Sequence, residues 1–172
     1  FRIQQILNNQ GYMVMTLNSE YNIERELEFL GLTEQFNFAG LILITAQEEK
    51  IEEKLKTMDI PKVLVNRILP SYKGDSVLID NFQAGYQATM HLIELGHRRI
   101  VGVFKSDDTQ GQQRHKGYVQ ALQEAGIAYD PDKVIWFYTE DRKTHPFERI
   151  RQMAKDRGNH PFEAVVAYND QV

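Results

Sequence analysis

Short apolar runs and amphipathic stretches take turns along this chain. The runs Tyr12–Leu17, Ala39–Thr45, Lys62–Asn66, Ser76–Ile79, Arg99–Phe104, Val134–Tyr138 and Ala164–Tyr168 have the length of strands and are set off by Gly, Pro or Asn. Leu41-Ile42-Leu43-Ile44 is apolar at four successive positions, as suits a parallel strand buried on both faces. Between the runs the period becomes helical. Ile23–Phe36 sets Ile23, Leu27, Leu30 and Phe36 roughly on one side, with Glu and Arg opposite. Gln83–Leu95 does the same with Tyr86, Met90 and Ile93, and Gly96 follows as a terminator. Gly111–Ala125 stops at Gly126 in the same way, and His145–Asp156 carries Pro146 in its first turn. The run Glu48-Glu49-Lys50 with Glu52-Glu53-Lys54 reads as a solvated helix face with i,i+4 pairs. Leu69–Asp75, holding Pro70 and Gly74, reads as a loop. Strands alternating with helices predict βαβ units and an α/β fold with parallel sheets.

Composition narrows the classes. A chain of 172 residues is long enough for one domain or two small lobes with a real core. A net charge of −4 argues against holding duplex DNA by the chain's own overall field. With no cysteine there is no disulfide framework and no thiolate metal site. No apolar run approaches the roughly 20 residues of a membrane span. Phe1-Arg2-Ile3-Gln4-Gln5-Ile6-Leu7 reads as an amphipathic helix rather than a leader, so the expectation is a soluble cytoplasmic protein. Phe1 enters a helical pattern with no cap, and Asn169-Asp170-Gln171-Val172 opens a helix that does not develop. Both ends read as cut, and the chain as a fragment of a longer protein.

Enzyme chemistry finds no foothold. There is no Gly-x-Gly-x-x-Gly after a strand, no phosphate loop and no Gly-x-Ser-x-Gly elbow. His91, His97, His115, His145 and His160 lack metal-ligand spacing, and His97 is better placed to close a helix C-terminus than to catalyse. Neither a metal nor a cofactor is expected. The unusual segment is Phe104–Arg114, which follows an apolar strand and leads into a helix. In open α/β sheets ligands bind beyond the carboxyl ends of strands. Asp107, Asp108, Gln110 and Arg114 offer there the acceptors and the forked donor that a polyhydroxylated ligand needs. The alternative is a solvated loop in which Asp107 or Asp108 caps the next helix. Asn169 follows the last strand in the same topological position and offers its amide, while Asp170 suits a cap. Trp136 and Phe137 read as core; Tyr138, at the strand's carboxyl end, either packs or stacks on a sugar face.

The stretch Ser76–Ile100 contains Val77-Leu78-Ile79-Asp80-Asn81, then Gly85 and Ala88 in a helix, then His91-Leu92-Ile93-Glu94-Leu95-Gly96-His97-Arg98-Arg99-Ile100. It resembles the LacI/GalR family of transcription regulators. Arg114-His115-Lys116-Gly117-Tyr118 resembles that family's Arg-x-x-Gly-Phe/Tyr, and Ala164–Asp170 its strand ending in Asn-Asp. Phe104-Lys105-Ser106-Asp107-Asp108-Thr109-Gln110-Gly111 is similar to one subgroup, the arabinose-responsive repressors.

The resemblance implies a two-lobed periplasmic-binding-protein type I fold with parallel sheets, present here as an incomplete fragment. It implies an N-terminal lobe over residues 1–82 and a C-terminal lobe over 83–172, with the effector in the cleft between them. It places the sugar-contacting arginine on Arg114, contacting loop residues on Asp108 and Gln110, and the contacting asparagine on Asn169. It implies no catalysis. It implies L-arabinose or a similar sugar as the ligand, operator DNA bound through an N-terminal domain outside this chain, and a homodimer. The helix Ile51–Met58 is the candidate for exposed apolar residues at the dimer surface. The alternative is a periplasmic-type sugar-binding protein of a transport system.

Overall fold

The computed structural model describes residues 2–20, 22–45, 49–66, 69, 72–155, 162–170 and 172. The expectations that rest on Glu48, Pro70 and Asp156 lie outside them. The chain divides into two units, Phe1–Leu78 and Ile79–Val172. The division falls four residues before the boundary expected at Phe82. The reason is local: the helix expected from Gln83 opens at Asn81 and is capped by Asp80, whose carboxylate accepts from Gln83 N at 2.9 Å.

In the first unit, α1 (Arg2–Asn9) and α2 (Ile23–Gln35) precede a parallel sheet ordered β1 (Leu41–Leu43), β2 (Lys62–Val65), β3 (Asp75–Val77), with α3 (Glu49–Thr57) between β1 and β2. Leu41 pairs with Lys62 and Leu64 with Ser76. Leu30 of α2 and Ile51 and Leu55 of α3 close over Leu64, with Leu41 and Leu43 against them. Each buried aliphatic side chain contributes about 1.5–3 kcal/mol.

Five expectations change here. Tyr12–Leu17 alternates like a strand yet forms none: no described strand pairs with it, and Met13 is 94% exposed. The run Leu41–Ile44 is not buried on both faces. β1 is an edge strand with helices on one side, so Ile44 stays 70% exposed. Ile51, Leu55 and Met58 are core residues rather than an exposed dimer surface, because α3 turns its apolar stripe onto the sheet. Phe36 falls one residue past the end of α2 and is 62% exposed. The acidic face of α3 is also less solvated than its composition suggests. Glu52 is buried beside Lys56 at 3.3 Å, and Lys54 reaches across to Glu34 of α2 at 2.6 Å.

The second unit is a three-layer α/β sandwich. Its parallel sheet has the order β5 (Val134–Phe137), β4 (Ile100–Lys105), β6 (Ala164–Ala167). The central strand β4 shows why a continuous apolar run is needed. Ile100 and Phe104 face α4 (Asn81–Glu94) and α5 (Thr109–Glu124), while Val101 and Val103 pack towards α6 (His145–Lys155). Gly96 at φ 94° and Gly126 at φ 66° end α4 and α5 as expected, a conformation only glycine adopts readily. His97 closes the end of α4 through its backbone, its N–H donating to Leu92 O at 3.1 Å.

Glycine also lets α4 and α5 touch. A Cβ on Gly85 would lie 2.1 Å from Arg114 O, and one on Gly117 would lie 2.1 Å from Phe82 O. This contact sets the beginning of α4 against the middle of α5. A Cβ on Gly111 would lie 2.0 Å from Lys105 O, so the first turn of α5 rests directly on the end of β4.

Candidate functional site

The carboxyl ends of β4, β5 and β6 lie side by side, with Val103 opposite Ala167 and Lys105 opposite Phe137. The loop after β4 is tied to β5, since Ser106 N and Oγ both donate to Phe137 O at 2.9 and 3.1 Å. Asp108 then opens α5: its Oδ1 accepts from Gly111 N at 2.6 Å, satisfying one of the helix's free amides. Its other oxygen takes the ammonium of Lys105 at 3.3 Å.

Tyr168, the first residue after β6, joins these groups. Its phenol lies 2.8 Å from Asp108 Oδ2 and 3.0 Å from Gln110 Oε1. A phenol has one proton, so it donates to one of the two at a time. The ring carries the Arg114 guanidinium at 4.8 Å from its centroid, and a guanidinium N–H donates to Tyr168 O. Arg114 Nε donates to Asn81 Oδ1 at 2.9 Å. One cation thus bridges the first turn of α4 to the end of β6. The rings of Tyr168 and Phe137 meet edge to face, 5.8 Å between centroids.

Of the residues singled out by sequence, Asp108, Gln110 and Arg114 come together around Tyr168. Asp107 stands apart from them. Its Oδ2 accepts from Thr139 N at 3.2 Å and Oγ1 at 2.7 Å, and Lys105 lies 3.6 Å from its Oδ1. Burial opposes its ionisation, but the bonds from Thr139 and the Lys105 charge outweigh that and hold its carboxyl below the usual range. Tyr138 follows β5 and is 55% exposed; its backbone N–H donates to Asp141 Oδ1 at 2.7 Å, and no described contact joins its ring to the cluster. Asn169 is half-buried beside Tyr168.

Two findings bear on the capping alternative. Asp108 does cap α5, and its side chain is only 2% exposed. Arg114, by contrast, is not spent on Asp107 or Asp108: Lys105 fills that place. Lys105, Asn81, Thr139 and Tyr168 are the residues that sequence reasoning passed over as participants. Tyr168 had a signal, an aromatic residue at the carboxyl end of a parallel strand next to an amide.

The chemistry assembled is that of recognition: two carboxylates, an ammonium, a guanidinium, amides and a phenol. His115 is not part of it. It packs among Phe104, Tyr118, Tyr129 and Trp136, and burial pushes its imidazole below the ordinary value. No group of three side chains that could hold a metal ion occurs among the described residues. Among them, too, no helix is long and apolar enough to cross a membrane.

A family model described as periplasmic binding proteins and sugar binding domain of the LacI family matches residues 2–172. The arabinose metabolism transcriptional repressor of Halalkalibacterium halodurans is 33% identical over 98% of this chain and 46% of its own length. The protein of the same name from Geobacillus stearothermophilus is 29% identical over 98% of this chain and 48% of its own. The chain therefore spans about half the length of these curated relatives. The crystal structure of the transcription regulator CcpA of Lactococcus lactis superposes with a TM-score of 0.79 at 28% identity, covering 98% of this chain and 61% of that one.

Proposed function

From the chain's membership of the family of periplasmic binding proteins and LacI-type sugar-binding domains, we propose that it is the sugar-sensing, effector-binding part of a bacterial transcriptional repressor. The carrying observation is the cluster of Asp108, Gln110, Arg114 and Tyr168 at the carboxyl edge of a parallel sheet, where α/β proteins bind their ligands. The ligand is an aldose of the arabinose kind, a reading supported by the names of the two relatives above. Arg114 donates to adjacent hydroxyls, Asp107 and Asp108 accept from others, Gln110 and Asn169 donate and accept, and Tyr138 stacks at the rim.

The protein acts in the cytoplasm as a homodimer, binds operator DNA through a separate N-terminal domain, and leaves its sugar chemically unchanged. Sugar binding alters DNA affinity only in so far as it favours one state of the whole protein over another. A calorimetric panel of aldoses and sugar phosphates against the intact protein, repeated with operator DNA present, tests this. One aldose binds and shifts the DNA affinity. Binding of none, or turnover of the one that binds, overturns the reading.

A further inference from the structure

Tyr168 touches three of the proposed sugar-binding groups with three different parts of itself: phenol, ring face and backbone carbonyl. Asp108 is also engaged by Gly111 N and Lys105, and its side chain is 2% exposed; Gln110 is 8% exposed. Asp108 and Gln110 therefore present little surface to a hydroxyl from outside while the phenol stands between them. Arg114 is less enclosed, but its guanidinium lies on the same ring.

We propose that Tyr168 sets the affinity of this site, its phenol holding the acceptors on Asp108 and Gln110 until a hydroxyl of a polyhydroxylated ligand replaces it. The inference rests on the sugar-sensing reading above. The exchange is one hydroxyl for another, so its net cost is small, and it discriminates. A ligand with a hydroxyl at the phenol's position donates as the phenol does, to one of the two acceptors at a time. A ligand without one leaves a buried carboxylate short of a partner.

Opening the site by swinging Tyr168 out breaks the phenol's bonds, so the open form is a minor one and apparent affinity falls in proportion to its population. Arg114 loses its ring platform in the same movement and is freed to turn to the ligand. The carboxylate cap on α5 does not have to move, because Gly111 N is held by Asp108 Oδ1 and the phenol by Oδ2.

The test is Tyr168→Phe in the intact protein, titrated with L-arabinose and the other aldoses by calorimetry and stopped flow. The ring, its contact with Phe137 and its place under Arg114 are kept, so the variant is expected to fold; thermal melting checks this. Loss of the phenol's hydrogen bond raises the open population, and the variant binds the sugar about three- to tenfold tighter, the gain lying in the association rate. Independently, saturating the unsubstituted protein with sugar produces a tyrosine near-ultraviolet difference spectrum that is smaller in Tyr168→Phe, where only Tyr138 meets the sugar. Equal or weaker binding by the variant, or no tyrosine signal in the unsubstituted protein, overturns the role of Tyr168 and leaves the sugar-sensing reading intact. If the unsubstituted protein binds no sugar, both fall together.

Discussion

Arg114 carries the clearest consequence at the scale of single residues. It holds Asn81 at one end and Tyr168 at the other, so it is both a candidate ligand and a strut. Arg114→Ala removes a planar fork that can donate to two adjacent hydroxyls, and sugar affinity falls by about ten- to a hundredfold. It also removes the Arg114 bonds to Asn81 Oδ1 and Tyr168 O, at roughly 1–3 kcal/mol of stability. Arg114→Lys keeps the charge over the Tyr168 ring but not the fork, and recovers part of each loss. Calorimetry with the sugar and denaturant unfolding of the same two variants measure both effects. Unchanged affinity in a folded Arg114→Ala would remove this residue from the site. Asp108 shows how one side chain serves structure and site together. Its two oxygens face different ways, one into the helix N-terminus and one towards Tyr168 and Lys105.

Among the elements, the crossing of α4 and α5 decides where the site's groups stand. Arg114 O lies where a Cβ on Gly85 would be, and Phe82 O where one on Gly117 would be. Both neighbours are backbone and cannot turn aside. Alanine is intrinsically better than glycine inside a helix by about 1 kcal/mol. At Gly85 the clash outweighs that gain: Gly85→Ala is expected to lose roughly 1–3 kcal/mol as the helices part, and to weaken the Arg114–Asn81 bond. Gly31, within α2, has nothing within 4 Å of its Cβ position, and Gly31→Ala is expected to stabilise by about 0.5–1 kcal/mol. Opposite signs for one substitution in two helices, measured by denaturant unfolding, check the argument. The same sign at both sites would show that propensity, not the crossing, controls α4. The periodicity of α4 and α5 is plain in the sequence; the crossing is not, because glycine leaves no mark in a hydrophobic pattern.

At the scale of the whole molecule, a homodimer is expected, since a two-fold protein matches an operator of two half-sites. Sedimentation of the intact protein at micromolar concentration should give a dimer, and a monomer would count against it. The apolar residues of α3 are not available for that surface; Ile51, Leu55 and Met58 lie inside the first unit. That error has the same origin as the others at this scale. Periodicity states that a helix has an apolar stripe and cannot state which layer receives it. The sequence by itself determined the α/β class, six of the seven strands and the positions of α1 to α6. These follow from the 2.0 and 3.6 periods, the Asp caps and the Gly stops, all of which act over a few residues. It also marked the 104–114 loop as a candidate place for a ligand, because the carboxyl end of a buried parallel strand is a local fact. Tertiary structure alone decided that Tyr12–Leu17 is no strand, since a strand exists only through its neighbour's hydrogen bonds. It decided that Ile42 and Ile44 face outwards, which depends on whether a second layer covers the sheet. And it decided that Asp108, Gln110 and Arg114 meet on Tyr168, more than fifty residues further on. Pairings at that separation are set by the order of strands in the sheet, which no local period records.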